Sequence, residues 1–165
     1  MAKGVDIREC RENAYAQRFG THLPLLAATI AKARPGAVLE IGTGHSSAPL
    51  IAEMCKATNR RWYVYDTDEF WLDAVADLQP QIIRDAVFTE SVIAAVAFVD
   101  CTGHDRLKWI RRFRHLAEFI VVHDTDNPAG DLKYMNDYLD TFTHRYDYKV
   151  MTPWTSVVSM TRSYP

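Results

Sequence analysis

Short, mostly apolar runs alternate along the chain with stretches in which apolar residues recur every three or four positions. The short runs have strand character and cover 37–41, 61–65, 93–99 and 119–122. The periodic stretches predict helices over 49–56, 69–78, 106–116 and 131–142. Strands that alternate with helices in this way pair in parallel and are covered on both faces. The pattern therefore predicts an α/β fold with a doubly wound, Rossmann-like, mostly parallel sheet.

The two ends of the chain complete this architecture. An N-terminal segment, 1–35, has helical texture from Arg8 onward. The segment 81–88 is the weakest element and holds at most a short third strand. In the tail, the runs 146–151 and 156–161 are joined by a short turn that contains proline, which forces an antiparallel pair. We expect a single domain that ends in a C-terminal antiparallel hairpin.

Polar residues follow four of the predicted strands, at the point where each strand ends. They are Gly42 with Gly44, then Asp66, then Asp100, and finally His123-Asp124. In open α/β sheets ligands bind in the crevice outside the carboxyl ends of the strands. We therefore expect these residues to line one crevice.

The first of these strand ends is the glycine turn Glu40-Ile41-Gly42-Thr43-Gly44-His45-Ser46-Ser47. Glycines permit a tight turn and close approach of a ligand, and the helix that follows offers free N–H groups. Asp66 comes 24 residues after Gly42, where a carboxylate can accept both hydroxyls of a ribose. Ser47 replaces the third glycine of a pyrophosphate-binding turn, which favours a nucleoside. An ordinary βα turn is the alternative.

The second strand end continues into a helix as Asp66-Thr67-Asp68-Glu69-Phe70-Trp71. One interpretation assigns Asp66 to a ribose, with Phe70 or Trp71 near a purine. The other treats the acidic residues as a helix start that the helix macrodipole stabilises. We favour Asp66 as the ribose ligand and expect Trp71 to be a core residue.

The third and fourth strand ends carry further candidates for chemistry. Asp100, Asp124 and Asp126 could form an all-oxygen magnesium site, although no exact spacing enforces coordination, and we predict no metal. His104 and His123 are candidate general bases, because histidine titrates near neutral pH. Each is also a common structural hydrogen-bonding residue.

The helix over 106–116 is locally basic, and an apolar stripe runs along it. The stripe consists of Leu107, Ile110, Phe113 and Leu116, and we expect most of the cations on the opposite, solvated face. With a formal net charge of −2, the chain has no overall field that recruits a polyanion. We therefore do not expect a nucleic-acid partner.

Composition indicates a globular protein and a reducing compartment. The chain has 165 residues, of which 48% are hydrophobic and 24% charged. Its three cysteines, Cys10, Cys55 and Cys101, are odd in number and far apart and form no CxxC pair, which excludes a fully paired disulfide framework and a Cys-only zinc site. Neither a signal peptide nor an apolar run of about 18 residues is visible. We expect a cytoplasmic location, no membrane partner and room for a homodimer.

Together these segments resemble a known family. Val38-Leu39-Glu40-Ile41-Gly42-Thr43-Gly44 resembles the first motif of class I S-adenosylmethionine-dependent methyltransferases, and 65–72 looks like the second motif of a small-protein branch. The segments 98–106 and 121–125 are similar to the fourth and fifth strand ends of that branch, and 153–159 to its closing hairpin. The resemblance covers about 21–161, and the order of the motifs is its main support.

The resemblance implies a seven-stranded sheet with S-adenosylmethionine over the first two strand ends. The residues implied to bind the cofactor are Glu40, Gly42, Thr43, Gly44, Ser46, Asp66 and Asp100. Asp100, His123 and Asp124 are implied to border the methyl acceptor as catalytic residues. Two departures from the family pattern are Ser46, in place of the third motif glycine, and a short 78–93 region. In members of the family, the corresponding region usually carries a helix and an acidic residue that contacts adenine.

From the sequence we predict an S-adenosylmethionine-dependent methyltransferase that acts on an unidentified small-molecule acceptor. Methyl transfer needs little beyond alignment of nucleophile and sulfonium, so no catalytic residue is required to stand out. Two alternatives stay open. One is a methyltransferase fold that binds a nucleoside or a partner protein without turnover, and the other is a nicotinamide-dependent oxidoreductase.

Overall fold

The computed structural model describes residues 20–101, 103–126 and 131–164. The helices are α1 (Leu23–Lys32), α2 (Ser47–Ala57), α3 (Glu69–Val75), α4 (Ala86–Thr89), α5 (Gly103–Phe113) and α6 (Asp131–Leu139), with a 3-10 turn over Ala76–Leu78. The strands are β1 (Ala37–Ile41), β2 (Trp62–Tyr65), β3 (Gln81–Ile83), β4 (Ala94–Val99), β5 (Ala117–His123), β6 (His144–Tyr148) and β7 (Thr155–Ser159).

The strands form one seven-stranded sheet in the order β3-β2-β1-β4-β5-β7-β6. The first five strands of this order pair in parallel, whereas β7 pairs antiparallel with both β5 and β6. The predicted fold class, a doubly wound and mostly parallel sheet with an antiparallel C-terminal pair, is confirmed. The chain reverses its direction across the sheet between β1 and β4, and ligands bind at such a switch point in folds of this kind.

The core lies in two layers, one on each face of the sheet. Along β1 all five residues are buried, because successive side chains enter opposite layers. Val38 packs in the layer that contains Leu26 of α1, whereas Leu39 packs in the layer that contains Phe113 of α5. A strand buried on both faces has no polar alternation, which explains why four of its five residues are apolar.

Several predicted boundaries differ from the structure. Strand β3 ends at Ile83 and lies at the sheet edge, where only Ile83 of its three residues is buried, so its apolar signal is weak. The short region 78–93 nevertheless contains both an acidic residue at a strand end, Asp85, and the helix α4. In the described part of the first segment, α1 begins at Leu23 with Pro24 in its first turn. Residues 8–19 lie outside the described residues.

Two further observations concern the cysteines and the helices. Cys55 and Cys101 are free thiols, and Cys10 lies outside the described residues. Burial raises the pKa of both described thiols to about 12. Across 20–101, 103–126 and 131–164, no helix has the length and apolar character needed to cross a membrane.

Candidate functional site

The glycine turn lies where the ends of β1, β2 and β4 meet. Gly42 has a φ of +80°, and its N–H donates a hydrogen bond to the carbonyl of Tyr65 at 3.0 Å. A Cβ at Gly42 would lie 2.6 Å from the carbonyl oxygen of Asp100. A Cβ at Gly44 would meet nothing within 4 Å. The first glycine is therefore required by packing, whereas the second borders open space that a ligand could use.

Glu40 holds this turn from beneath. Its carboxyl group is completely buried and accepts hydrogen bonds from the hydroxyls of Ser47, at 2.5 Å, and Thr43, at 3.2 Å. Burial raises the pKa of Glu40 to about 8, although the two hydroxyls act in the opposite direction. Glu40 is therefore mainly protonated at neutral pH. Because its carboxyl group is neutral, Glu40 binds the polar side chains of the turn without placing an unpaired negative charge beneath the space open to a ligand.

Asp66 lies beside the glycine turn, at the end of β2. Its Oδ2 accepts a hydrogen bond from the N–H of Thr43 at 2.9 Å, and its Oδ1 accepts one from the N–H of Asp68 at 2.9 Å. Asp68 in turn accepts the N–H of Phe70 and caps α3. Asp66 is half-buried, and each carboxylate oxygen retains a lone pair. The two strand ends expected to lie together do so.

The expectation that Trp71 is a core residue is wrong. Leu72 and Val75 are the buried residues of α3, and Trp71 points in a direction about 100° from Leu72, as successive residues of a helix do. Its half-buried ring instead lies against His45 of the glycine turn, with ring centroids 5.1 Å apart. Trp71 therefore flanks the turn.

Arg106 joins the ends of β4 and β5. Its guanidinium donates to the carbonyl oxygens of Cys101, at 2.8 Å, and His123, at 2.9 Å. It also contacts the carboxylates of Asp100, at 3.3 Å, and Asp124, at 3.4 Å. The position between these two carboxylates, considered above for magnesium, is thus occupied by a guanidinium. Asp126 does not join them, because its Oδ1 accepts the N–H of Trp154 at 3.0 Å.

Arg106 is an exception among the cations of α5, most of which are predicted to lie on the solvated face of the helix. Arg106 is only 6% exposed and lies four and seven residues before Ile110 and Phe113, on the same buried side of the helix. Its carbonyl and carboxylate partners replace the water that the guanidinium loses. The helix ends at Phe113, three residues before the predicted boundary.

His123 forms a second polar group with Asp100, His22 and Thr21. Its Nδ1 lies 3.2 Å from Oδ2 of Asp100, and its Nε2 lies 3.1 Å from the hydroxyl of Thr21. Burial alone would lower the pKa of His123, but the hydrogen bond and charge of Asp100 raise it overall. The buried ring of His22 stacks on Phe98, and burial lowers the pKa of His22 to about 3. One imidazole therefore favours a positive charge and its neighbour stays neutral.

Three residues of this region were not predicted from the sequence as members of the site. Arg106 could have been found, since its spacing from Ile110 and Phe113 places it on the buried stripe. Asp85 lies two residues after the end of β3, and its side chain accepts the N–H of Val87. His22 gives no local signal, because its partners come from strands far along the chain. The side chain of His104 lies outside the part that the structure describes.

Several solved structures of known proteins share this architecture. No family model matches the sequence, and no curated protein matches it. Among solved structures, the chain is similar to an SAH-bound Podospora anserina methyltransferase, PaMTH1, at 12% identity over 96% of this chain and 89% of that one, with a TM-score of 0.69.

Two further solved structures have a similar fold. Cofactor-bound Rv0187 from MTB is 16% identical over 87% of this chain and 80% of that one, with a TM-score of 0.65. TrmK of M. capricolum, in complex with S-adenosylhomocysteine, is 8% identical over 84% and 69%, with a TM-score of 0.56. The chain has the class I S-adenosylmethionine-dependent methyltransferase fold, as the sequence motifs predict.

Proposed function

We propose that this chain is an S-adenosylmethionine-dependent methyltransferase with a small-molecule acceptor. The observation that carries the proposal is the contact between Asp66 and the glycine turn, which follows β1 beside the switch point of this fold. That contact brings together a carboxylate with spare lone pairs and a turn that leaves open space beside Gly44. A nucleoside needs both features, one for its ribose and one for its close approach to the backbone.

The cofactor-binding side follows from these contacts. Asp66 accepts the ribose hydroxyls, while Gly42, Thr43 and Gly44 face the methionine part of the cofactor. Glu40 acts through Thr43 and Ser47 and is a positioning residue. Two further residues border the cofactor, Ser46 at the start of α2 and Asp100 at the end of β4.

The acceptor side lies at the ends of β4 and β5. S-adenosylmethionine supplies an activated methyl group, so the residues on this side need only orient the acceptor and take its proton. Asp124 has a left-handed backbone, with a φ of +59°, and its side chain is 35% exposed. Strained backbone of this kind is concentrated at functional sites. We assign proton acceptance to Asp124, with His123 and Asp100 beside it.

A small acceptor fits the charge of the chain better than a polyanion does. The formal net charge is −2, and two carboxylates, Asp100 and Asp124, stand at the acceptor side with one guanidinium between them. A nucleic-acid backbone would meet no excess of positive charge there.

Calorimetry with S-adenosylhomocysteine tests the cofactor assignment. We expect the wild-type chain to bind it and Asp66→Asn to bind at least about tenfold more weakly, because a hydrogen bond to a charged group contributes about 1.5–3 kcal/mol. The matched control is Asp77→Asn, an exposed carboxylate on the 3-10 turn. Equal affinity in a folded Asp66→Asn chain would contradict the ribose assignment. Binding of NADH in place of S-adenosylhomocysteine would favour an oxidoreductase.

A further inference from the structure

Three side chains of the kind that binds transition metals converge beside the acceptor side. His22 immediately precedes α1, Asp100 follows β4, and His123 ends β5. One ligand atom from each lies within 4.8 Å of the other two. The two histidines are 2% and 5% exposed. We propose that His22, Asp100 and His123 bind one divalent transition-metal ion of the Zn²⁺ type.

The spacing of the ligand atoms suits such an ion. Nitrogen and oxygen ligands bind Zn²⁺ at about 2.0–2.2 Å, so two of them in a tetrahedral site lie roughly 3.4 Å apart. Nδ1 of His123 and Oδ2 of Asp100 are 3.2 Å apart. The ring of His22 meets that of His123 edge-on, with centroids 4.5 Å apart. A small rotation of His22 would bring the third ligand to the same ion.

The position of the protons on His123 favours a cation at Nδ1. The hydroxyl of Thr21 donates its proton to the carbonyl of Pro153 at 2.8 Å, so it accepts from Nε2 of His123. Nδ1 then faces two carboxylate oxygens, from Asp100 at 3.2 Å and from Asp124 at 3.5 Å. A neutral ring would turn a lone pair toward both anions. Either a proton or a metal ion must lie there.

His22 favours the metal ion over the proton. Its two ring nitrogens are buried and have no hydrogen-bond partner among the described residues. An unsatisfied buried polar group costs about 1–3 kcal/mol. A proton on His123 would leave both nitrogens of His22 unsatisfied, whereas an ion shared with Asp100 would satisfy one of them. Thr21 would then hold the second nitrogen of His123, as outer partners of metal-bound histidines commonly do.

The charges and ligand types define the ion. Arg106 contacts Oδ1 of Asp100, whereas His123 contacts Oδ2, so each oxygen faces a different partner. Two carboxylates, Asp100 and Asp124, exceed the single guanidinium by one negative charge. Two imidazoles with one carboxylate suit Zn²⁺ and similar transition ions, whereas Mg²⁺ takes oxygen ligands.

The test uses metal ions alone and does not depend on the proposed methyltransferase activity. After treatment with a chelator, the whole chain is titrated with Zn²⁺ by calorimetry and with Co²⁺ by visible absorption. We expect one ion per chain, a Co²⁺ spectrum of low coordination number, and no competition from Mg²⁺. His22→Ala should weaken Zn²⁺ binding at least about tenfold.

The matched control is His115→Ala, an exposed histidine beyond the end of α5, which should bind as the wild type does. Equal Zn²⁺ affinity in His22→Ala, or wild-type affinity weaker than about 1 mM, would overturn the proposal. If His22→Ala fails to fold, the Co²⁺ spectrum of the wild type decides, since an unchanged aqua-ion spectrum also overturns it. S-adenosylhomocysteine binding by the chelated chain separately tests the cofactor site.

Discussion

The two halves of the strand-end crevice are built in different ways. At β1 and β2, the turn is held by backbone N–H groups, one carboxylate and a buried neutral acid, Glu40. At β4 and β5, Arg106 and His123 are bound by the carboxylates of Asp100 and Asp124. The first half leaves lone pairs and space for a ligand. In the second half, charged side chains largely neutralise one another.

This difference separates a binding surface from a charge network. Removing a group from the first half should mainly reduce ligand affinity, unless the group is the glycine that packing requires. Removing a member of the second half leaves other charges buried without partners, which costs more free energy than the pair contributes. The two halves can therefore be distinguished by which property each substitution changes.

The largest effect is expected for Arg106→Met. The substitution leaves the carboxylate of Asp100 and two carbonyl groups without their partner, and breaking a buried ion pair costs about 3–5 kcal/mol. The control is Arg84→Met, which removes a bidentate contact with Glu69 from the surface. Urea unfolding should show a large loss for the first variant and no measurable loss for the second. Similar losses in both would contradict a buried network.

A smaller loss of stability, about 2–4 kcal/mol, is expected for Gly42→Ala. Its Cβ would overlap the backbone of Asp100 in a left-handed conformation, and both strain and overpacking contribute. Gly44→Ala is the matched control, because its Cβ meets only open space within 4 Å. It should leave the thermal midpoint unchanged while weakening S-adenosylhomocysteine binding. If both glycines tolerate alanine in both assays, the turn is not part of the site.

The smallest effect is a pH dependence that Glu40→Gln should remove. The folded chain keeps the proton of Glu40 up to pH about 8, whereas the unfolded chain loses it near the ordinary value of 4.5. The folded state therefore binds more protons, and its stability falls as pH rises between these values. Relative to wild type, Glu40→Gln should gain about 2 kcal/mol between pH 6 and pH 8. A constant difference would show that Glu40 is ionised in the fold.

The sequence predicts the arrangement of the first two strand ends well because its signals are local. A buried strand, a glycine turn and a strand-end acid lie within 30 residues, and each follows from periodicity or backbone conformation. The second half depends on contacts over long sequence distances, such as Thr21 with His123 and Arg106 with Asp124. Helical periodicity shows that Arg106 lies on a buried face but not which groups its guanidinium reaches. His22 has no sequence signal of its own.

Strand β1 lies in the interior of the sheet, and this has a consequence for the energetics of recognition. Its final carbonyl, at Ile41, accepts the N–H of Asp100 from one side, and Gly42 donates to Tyr65 on the other. The floor of the crevice is thus preorganised before any ligand arrives. A ligand that binds there therefore loses little of its binding free energy to the ordering of the protein chain. Discrimination between ligands then falls to the few side chains around the rim.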